Sequence, residues 1–237
     1  NALAKTNVDI RVVPDLLSFH FLKHTVAELD NLPIISLAHT PQLGWNSLLK
    51  RLFDVVVSTI GLVVLAIPML LIAVAIKLAN KGPVFYVQTR AGLACAPFRM
   101  IKFRTMRHDP DSQQSAAWTT PDDPRVTRIG RLLRRTSLDE LPQLLNVFLG
   151  QMSIVGPRPE RPELVEEFRT GLPRYMLRHH VKGGMTGWAQ VHGLRGQSSL
   201  RKRVQYDLYY IANWTFGLDV RICLMTLFRG FVNKNAY

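Results

Sequence analysis

Cysteine is scarce: Cys95 and Cys223 are the only two in 237 residues, far apart and without Cys or His neighbours at metal-ligand spacing. That excludes a zinc finger and a disulfide framework, and it fits a reducing, cytosolic setting. Acidic residues are also few, 17 against 30 Lys and Arg, for a net charge of +13. No Walker loop and no dinucleotide-binding glycine fingerprint occurs, which removes the common soluble nucleotide-binding motifs. Internal repeats are absent too. The sequence starts at Asn1 with no initiator Met and no signal-peptide pattern, so it is expected to be part of a longer protein.

The positive charge is unevenly placed. Residues 1–76 hold five basic side chains (Lys5, Arg11, Lys23, Lys50, Arg51) and five acids (Asp9, Asp15, Glu28, Asp30, Asp54). The whole excess therefore falls on residues 77–237, 25 basic against 12 acidic. Such a block attracts a polyanion, whether nucleic acid, an anionic membrane or phosphorylated substrates.

Long apolar runs are missing with one exception, Leu52–Ile76, where Asp54 is the only charge. As one helix it would be about 37 Å long, enough to cross a bilayer core of roughly 30 Å. Against a simple crossing stand Pro68 in the interior, which breaks a helix, and basic residues at both ends: Lys50, Arg51, Lys77, Lys81 and Arg90. Positive charge marks the cytoplasmic side, so both ends favour it, and a broken helix that dips in and returns satisfies both features. Pattern alone leaves the two readings even.

The remaining elements follow from periodicity and breakers. Val8–Val13 and Leu32–Leu37 read as strands, and Leu16–Leu29 between them as a helix carrying His20 and His24 one turn apart. With no third ligand nearby, that pair reads as a solvated helix face rather than a metal site. Val84–Thr89 and Phe98–Phe103 read as short strands, and polar residues 107–126 as a loop, whether a lid or not. Helices are expected at Arg128–Arg135, Leu138–Leu149 (broken early by Pro142), Arg161–Phe168, Ser198–Asn213 and Ile222–Val232. The last is amphipathic, with Arg221, Arg229 and Lys234 beside its apolar side, and suits either a membrane surface or a core.

Three constellations can carry chemistry. In RRTSLDELPQL, Asp139 and Glu140 either complement a helix start capped by Thr136 or Ser137, or act as a nucleophile beside a metal-binding carboxylate. Adjacent acids need nearby cations to stay ionised, and Arg134 and Arg135 precede them. In Gly156-Pro157-Arg158-Pro159-Glu160, two prolines stiffen the backbone around one guanidinium, which suits bidentate phosphate capture or a plain structural ion pair. In KGGMTGWAQVHGLR, residues 182–195, four glycines allow close backbone approach to a ligand and Trp188 offers a flat face. Lys102 and Arg104 in IKFRTM add two more cations.

Taken together, KRLFDV, the Pro-broken apolar run, KFRTM, SLDELPQLLNV, MSIVGPRPE and GMTGWAQV, in that order from Lys50 to Tyr237, resemble the monotopic phosphoglycosyl transferases, the bacterial sugar transferase family. The resemblance implies an α+β monotopic membrane protein: a re-entrant hairpin over 47–80, amphipathic interfacial helices, and a small irregular catalytic domain over 81–237. Residues 1–46 would be the end of a preceding Rossmann-like regulatory domain. It implies transfer of a hexose-1-phosphate from a UDP-sugar, glucose favoured over galactose, to undecaprenyl phosphate, with release of UMP. This initiates exopolysaccharide, capsule or O-antigen synthesis at the cytoplasmic face of the bacterial inner membrane.

By the same resemblance Asp139 is the nucleophile and Glu140 the Mg2+ ligand. Lys102, Arg104, Arg134, Arg158 and Arg195 are the cations expected on substrate phosphate, with Arg195 offset slightly in HGLRG. Pro68 is the hairpin break, although the family's preceding Ser is here Ile67. Membrane lipids and a homodimer are expected as partners, nucleic acid is not. A DNA-binding protein would explain the charge but leave the apolar run without a purpose. A non-catalytic basic membrane protein would give Asp139-Glu140 none.

Overall fold

The computed structural model describes residues 23–29, 32–42, 44–79, 82–107, 123–172, 174–196 and 198–229. They fall into two units, Asn1–His39 and Thr40–Tyr237. In the first, β1 (Lys23–Leu29) and β2 (Leu32–His39) form an antiparallel pair with Leu29 opposite Leu32 and Val26 opposite Ile35. The helix expected over Leu16–Leu29 is thus a strand from Lys23 onward. Its Thr25-Val26 pair favours β, and an adjacent apolar strand two residues away supplies ladder partners that outweigh local propensity. His24 lies on that strand. His20 and the expected strand Val8–Val13 lie outside the described residues.

The second unit is α+β, eight helices with two separate two-stranded sheets among its described residues. Helix α1 (Trp45–Val64) and helix α2 (Ala66–Ala79) meet at a 60° bend about Leu65. Pro68, the third residue of α2, has no N–H for the Val64 carbonyl, and its ring would clash with that carbonyl in a continuous helix. Hydrogen bonds persist on both sides, Leu65 N–H to Gly61 O at 2.9 Å and Met69 N–H to Leu65 O at 2.8 Å. No single described helix is long and apolar enough to cross a membrane, but this bent pair has the length and composition to do so.

Each arm presents an apolar face to the outside. Leu52, Val56, Ile60, Val63 and Val64 of α1 are exposed, as are Ile67, Leu70, Leu71 and Val74 of α2. The other faces hold the domain. Ile76 of α2 is buried with Phe103 and Leu133, and Leu138 and Leu141 pack against that cluster. On α1, Lys50 reaches a buried centre where its Nζ contacts Asp219 Oδ2 at 2.6 Å and Val155 O at 3.0 Å. Tyr210 and Trp214 also donate to Asp219, while Asp54 accepts from Ser153 Oγ and the Ile154 N–H. Arg51 donates to the Val147 and Phe148 carbonyls, so the apolar arm is clamped by charge at its base.

Next, β3 (Phe85–Ala91) and β4 (Pro97–Phe103) form an antiparallel hairpin that sets Lys102 opposite Tyr86. Helix α3 (Arg128–Arg135) is capped by Thr127, whose Oγ1 accepts from Gly130 N–H at 2.9 Å. The stretch expected as a helix over Leu138–Leu149, broken early by Pro142, is a 3-10 turn, Leu138–Glu140, followed by α4 (Gln143–Phe148). Pro142 removes the backbone donor that would join them. Of the loop 107–126, residues 108–122 lie outside the described set. Its ends are joined by the Arg107 N–H donating to Arg125 O at 2.8 Å.

Strand β5 (Ser153–Val155) pairs in parallel with β6 (Gly184–Thr186). Between them lies α5 (Pro162–Gly171). The chain closes with α6 (Trp188–Val191), α7 (Leu200–Ala212) and α8 (Phe216–Arg229). The last begins six residues before its expected start at Ile222, because Asp219 in its first turn is consumed by the buried centre that Lys50 enters. Its exposed apolar residues are Phe216, Val220, Leu224, Leu227 and Phe228.

Candidate active site

The Asp139 turn is held from three directions. Ser137 before it has φ +58°, a left-handed conformation that costs free energy in a residue with a Cβ and turns the chain sharply out of α3. Neither expected cap is found: Ser137 makes no capping bond, and Thr136 Oγ1 donates back to Leu132 O at 2.9 Å. Leu138 and Leu141 anchor the turn against the α2 arm. Asn146 of α4, fully buried, ties the segment to β4 by accepting from Ile101 N–H at 3.0 Å and donating to Arg99 O at 2.7 Å. Those bonds set Lys102 beside Glu140.

The two carboxylates are in unlike surroundings. Glu140 Oε1 receives Lys102 Nζ at 2.8 Å and Arg158 Nη2 at 2.5 Å, while Oε2 has Arg158 Nη1 at 3.3 Å. Burial alone would raise the Glu140 pKa, but Arg158 and Lys102 hold it well below the ordinary carboxylate range. Asp139 is only 9% exposed. Burial pushes its pKa up to about 6, the neighbouring Glu140 charge adds to this, and Lys102, Arg134 and Arg158 pull against it. The pair is thereby split into a permanent anion and a more basic carboxylate, the division expected between a charge anchor and a nucleophile.

Among the expected phosphate-binding residues, Lys102, Arg134 and Arg158 converge on this pair. Arg134 Nε donates to Thr105 Oγ1 at 2.8 Å, and its charge acts on Asp139. Arg195 is close enough for Arg158 and Glu140 to influence its guanidinium, which desolvation chiefly perturbs. Arg104 is buried just beyond β4, and desolvation lowers its pKa. The other α3 arginines, Arg128, Arg131 and Arg135, are exposed.

Of the four glycines in residues 182–195, Gly184 and Gly187 take up main chain. A Cβ on Gly184 would overlap Gly156 N, one on Gly187 would overlap Gly156 O, and one on Gly156 would overlap Lys182 O. The Pro-Arg-Pro turn and the KGGMTG segment pack main chain on main chain, which only glycine permits here. Trp188 has partners of its own: Tyr209 stacks at 5.9 Å, His192 lies edge-on at 4.2 Å, and Arg221 sits 5.7 Å from the ring.

Several contacts behind the site escaped the sequence reading. Arg90 donates to Pro159 O at 3.2 Å, with desolvation and the Arg158 charge lowering its pKa to about 10. Glu160, Arg178, Arg203 and Asp207 form a buried charged cluster behind the Pro-Arg-Pro turn. The i,i+4 spacing of Arg203 and Asp207 on α7 was the available signal. Gln143, one turn beyond Asp139, is 1% exposed, and its Nε2 has no partner among the described residues.

Residues 45–233 match the family described as bacterial sugar transferase. The chain belongs to that family. Among similar bacterial sugar transferases, UDP-glucose:undecaprenyl-phosphate glucose-1-phosphate transferase of Escherichia coli (strain K12) is 44% identical over 99% of this chain and 51% of its own length. The protein of the same name from Xanthomonas campestris pv. campestris is 42% identical over 97% of this chain and 49% of its own. Exopolysaccharide production protein PSS of Rhizobium leguminosarum bv. phaseoli is 46% identical over 76% of this chain and 93% of its own length. The chain spans about half the length of the first two.

Proposed function

We propose that residues 47–237 transfer a hexose-1-phosphate, glucose-1-phosphate in the first instance, from a UDP-sugar to undecaprenyl phosphate through a phosphosugar–Asp139 intermediate. The observation that carries this is the split carboxylate pair, a buried Asp139 with pKa about 6 beside a Glu140 locked between Lys102 and Arg158. The names of the relatives supply the donor and acceptor. An Asp139 oxygen attacks the β-phosphorus, a P–O bond forms, the diphosphate bridge breaks, and UMP departs with the electron pair. An undecaprenyl phosphate oxygen then attacks the same phosphorus, and the Asp139 carboxylate is released unchanged. Arg134, Arg158, Lys102 and Arg195 offset negative charge on the diphosphate and the transferring group. Arg104 belongs to the same proposal at one remove, being buried beside this strand end.

The residues fit Mg2+. Mg2+ takes one or two carboxylates and fills its remaining positions with water and substrate phosphate oxygens. Glu140 Oε2, less engaged than Oε1, offers such a ligand. When bound there, the ion would neutralise diphosphate charge and orient the leaving group.

The membrane assignment belongs to the same proposal. The exposed faces of α1, α2 and α8 lie in the lipid, the α1–α2 pair enters and leaves on the cytoplasmic side with Pro68 at its bend, and the Asp139 turn sits at the base of α2. Residues 1–46 end a preceding regulatory domain, and the assembled protein is a homodimer in the bacterial inner membrane. The test is UMP release by purified protein with Mg2+, undecaprenyl phosphate and UDP-glucose, UDP-galactose or UDP-N-acetylgalactosamine. The last is included because the UDP-N-acetylgalactosamine-undecaprenyl-phosphate N-acetylgalactosaminephosphotransferase of Aeromonas hydrophila is 41% identical over 76% of this chain. Release with UDP-glucose that vanishes in Asp139→Asn is expected, and release undiminished in that variant would overturn the mechanism.

A further inference from the structure

Glu160 closes the Gly-Pro-Arg-Pro-Glu turn, yet it points away from Asp139 into a cluster of cations. Its Oε1 lies 2.9 Å from Arg203 Nη1 and 3.7 Å from Arg178 Nη1. Both arginines then reach a second place. Arg178 Nη2 donates to the Arg158 carbonyl at 3.1 Å and to Asp207 Oδ2 at 2.8 Å. Arg203 Nη2 donates to the Gly196 carbonyl at 2.6 Å and to Ser198 Oγ at 3.4 Å. All four residues of the cluster are at most 5% exposed.

One guanidinium thus grips the main chain at Arg158, the other grips it one residue beyond Arg195, and a single carboxylate joins them. Buried ion pairs are a weak source of stability, since apolar residues of equal volume do as well or better. What a fully hydrogen-bonded network supplies is a single geometry. The Arg195 loop needs such a restraint: Gly193 and Gly196 have φ +78° and +56°, and a side chain at either would meet only open space. Arg195 Nε itself is buried without a partner among the described residues.

We infer that Arg203, bridging Glu160 and the Gly196 carbonyl, is a positioning residue that fixes the Arg195 guanidinium at a set distance from Arg158 for capture of the donor's diphosphate. This rests on the reaction proposed above, and deepens it by assigning the two arginines to one rigid clamp. Arg203 touches no substrate and acts through Arg195.

The experiment is a double-mutant cycle on the full chain in nanodiscs, with Arg203→Lys, Arg195→Ala and the double variant, reading kcat/KM for UMP release. Arg203→Lys alone is expected to lower kcat/KM on the order of tenfold with KM for the UDP-sugar rising, and to add little in the Arg195→Ala background. Amide hydrogen exchange across residues 191–196 is read in parallel and is expected to quicken in Arg203→Lys while α7 stays protected. Independent, multiplying losses in the cycle would mean that Arg203 is only structural, and unchanged exchange would equally overturn the inference. A wild-type chain that releases no UMP refutes the reaction instead, and the exchange measurement still decides whether Arg203 restrains the loop.

Discussion

Replacing Asp139 by Asn should abolish UMP release and, at the same time, make the protein more stable. The carboxyl is 9% exposed, and burial together with Glu140 raises its pKa from 3.8 to about 6. A shift of roughly 2 units corresponds to about 3 kcal/mol favouring the protonated form in the folded state. The sign follows from linkage. The folded state binds this proton more tightly than the unfolded one, so ionisation costs stability in full above the folded pKa. That cost is relieved as pH falls from about 6 toward 3.8. An uncharged Asn never incurs it. For a unit of about 200 residues, 3 kcal/mol raises Tm by roughly 6–12 °C, an upper figure because the new amide must also find partners. Thermal unfolding in nanodiscs with EDTA at pH 7.5 and pH 5 checks this. The Asn variant should lead clearly at pH 7.5, and its advantage should shrink to roughly half at pH 5. Equal stabilities at pH 7.5, or a gap indifferent to pH, would refute the claim that Asp139 is held as a desolvated, strained anion.

Glu140→Gln should leave Lys102 and Arg158 buried without their shared anion, costing about 3 kcal/mol in unfolding experiments and raising the Mg2+ concentration needed for UMP release. Lys50→Met strands the fully buried Asp219 and should cost roughly 3–5 kcal/mol, most of it recovered by adding Asp219→Asn; a single variant as stable as wild type would count against the buried centre. Pro68→Ala restores a donor at the bend. Maleimide labelling of cysteines introduced at positions 47 and 79 should find both on one side of the membrane in wild type and a fraction on opposite sides in the variant.

What was readable in the sequence was what depends on local chemistry. Pro68 as a break and the short strands expected at Val84–Thr89 and Phe98–Phe103 both follow from the residue types at those places. The site's motif residues were legible for a different reason: their order matched a family, while their spacing alone left Asp139-Glu140 as plausible helix-start residues. The structure shows no cap behind that second reading: the Ser137 side chain makes no capping bond, and Thr136 Oγ1 turns back to Leu132 O at the end of α3. Where contacts are remote in sequence, pattern reading failed. Lys23–Leu29 became a strand because a partner strand was present, and α8 began early because Asp219 is needed 169 residues from Lys50. Nothing local in KGGMTG reveals that Gly156 fills the space beside Gly184 and Gly187.

That last point bears on how the site is built. Gly156 leads directly into the Pro-Arg-Pro turn, and its carbonyl and N–H lie where side chains of Gly184 and Gly187 would be. The turn is therefore seated on backbone, which has no rotamers to adjust, and it is held from behind by Arg178 on the Arg158 carbonyl. On the opposite side, the Asp139 turn is seated on α2 through Leu138 and Leu141. Asp139 is thus referenced to the apolar arm and Arg158 to the parallel β5–β6 pair. Glu140 spans the two by its ion pair with Arg158. In the proposed reaction, a donor diphosphate entering between them would compete with Glu140 for Arg158 and Lys102, so loading the site would exchange one anion for another around cations already in place. Little reorganisation is then left for the phosphoryl transfer itself, which is where preorganised charge is most effective.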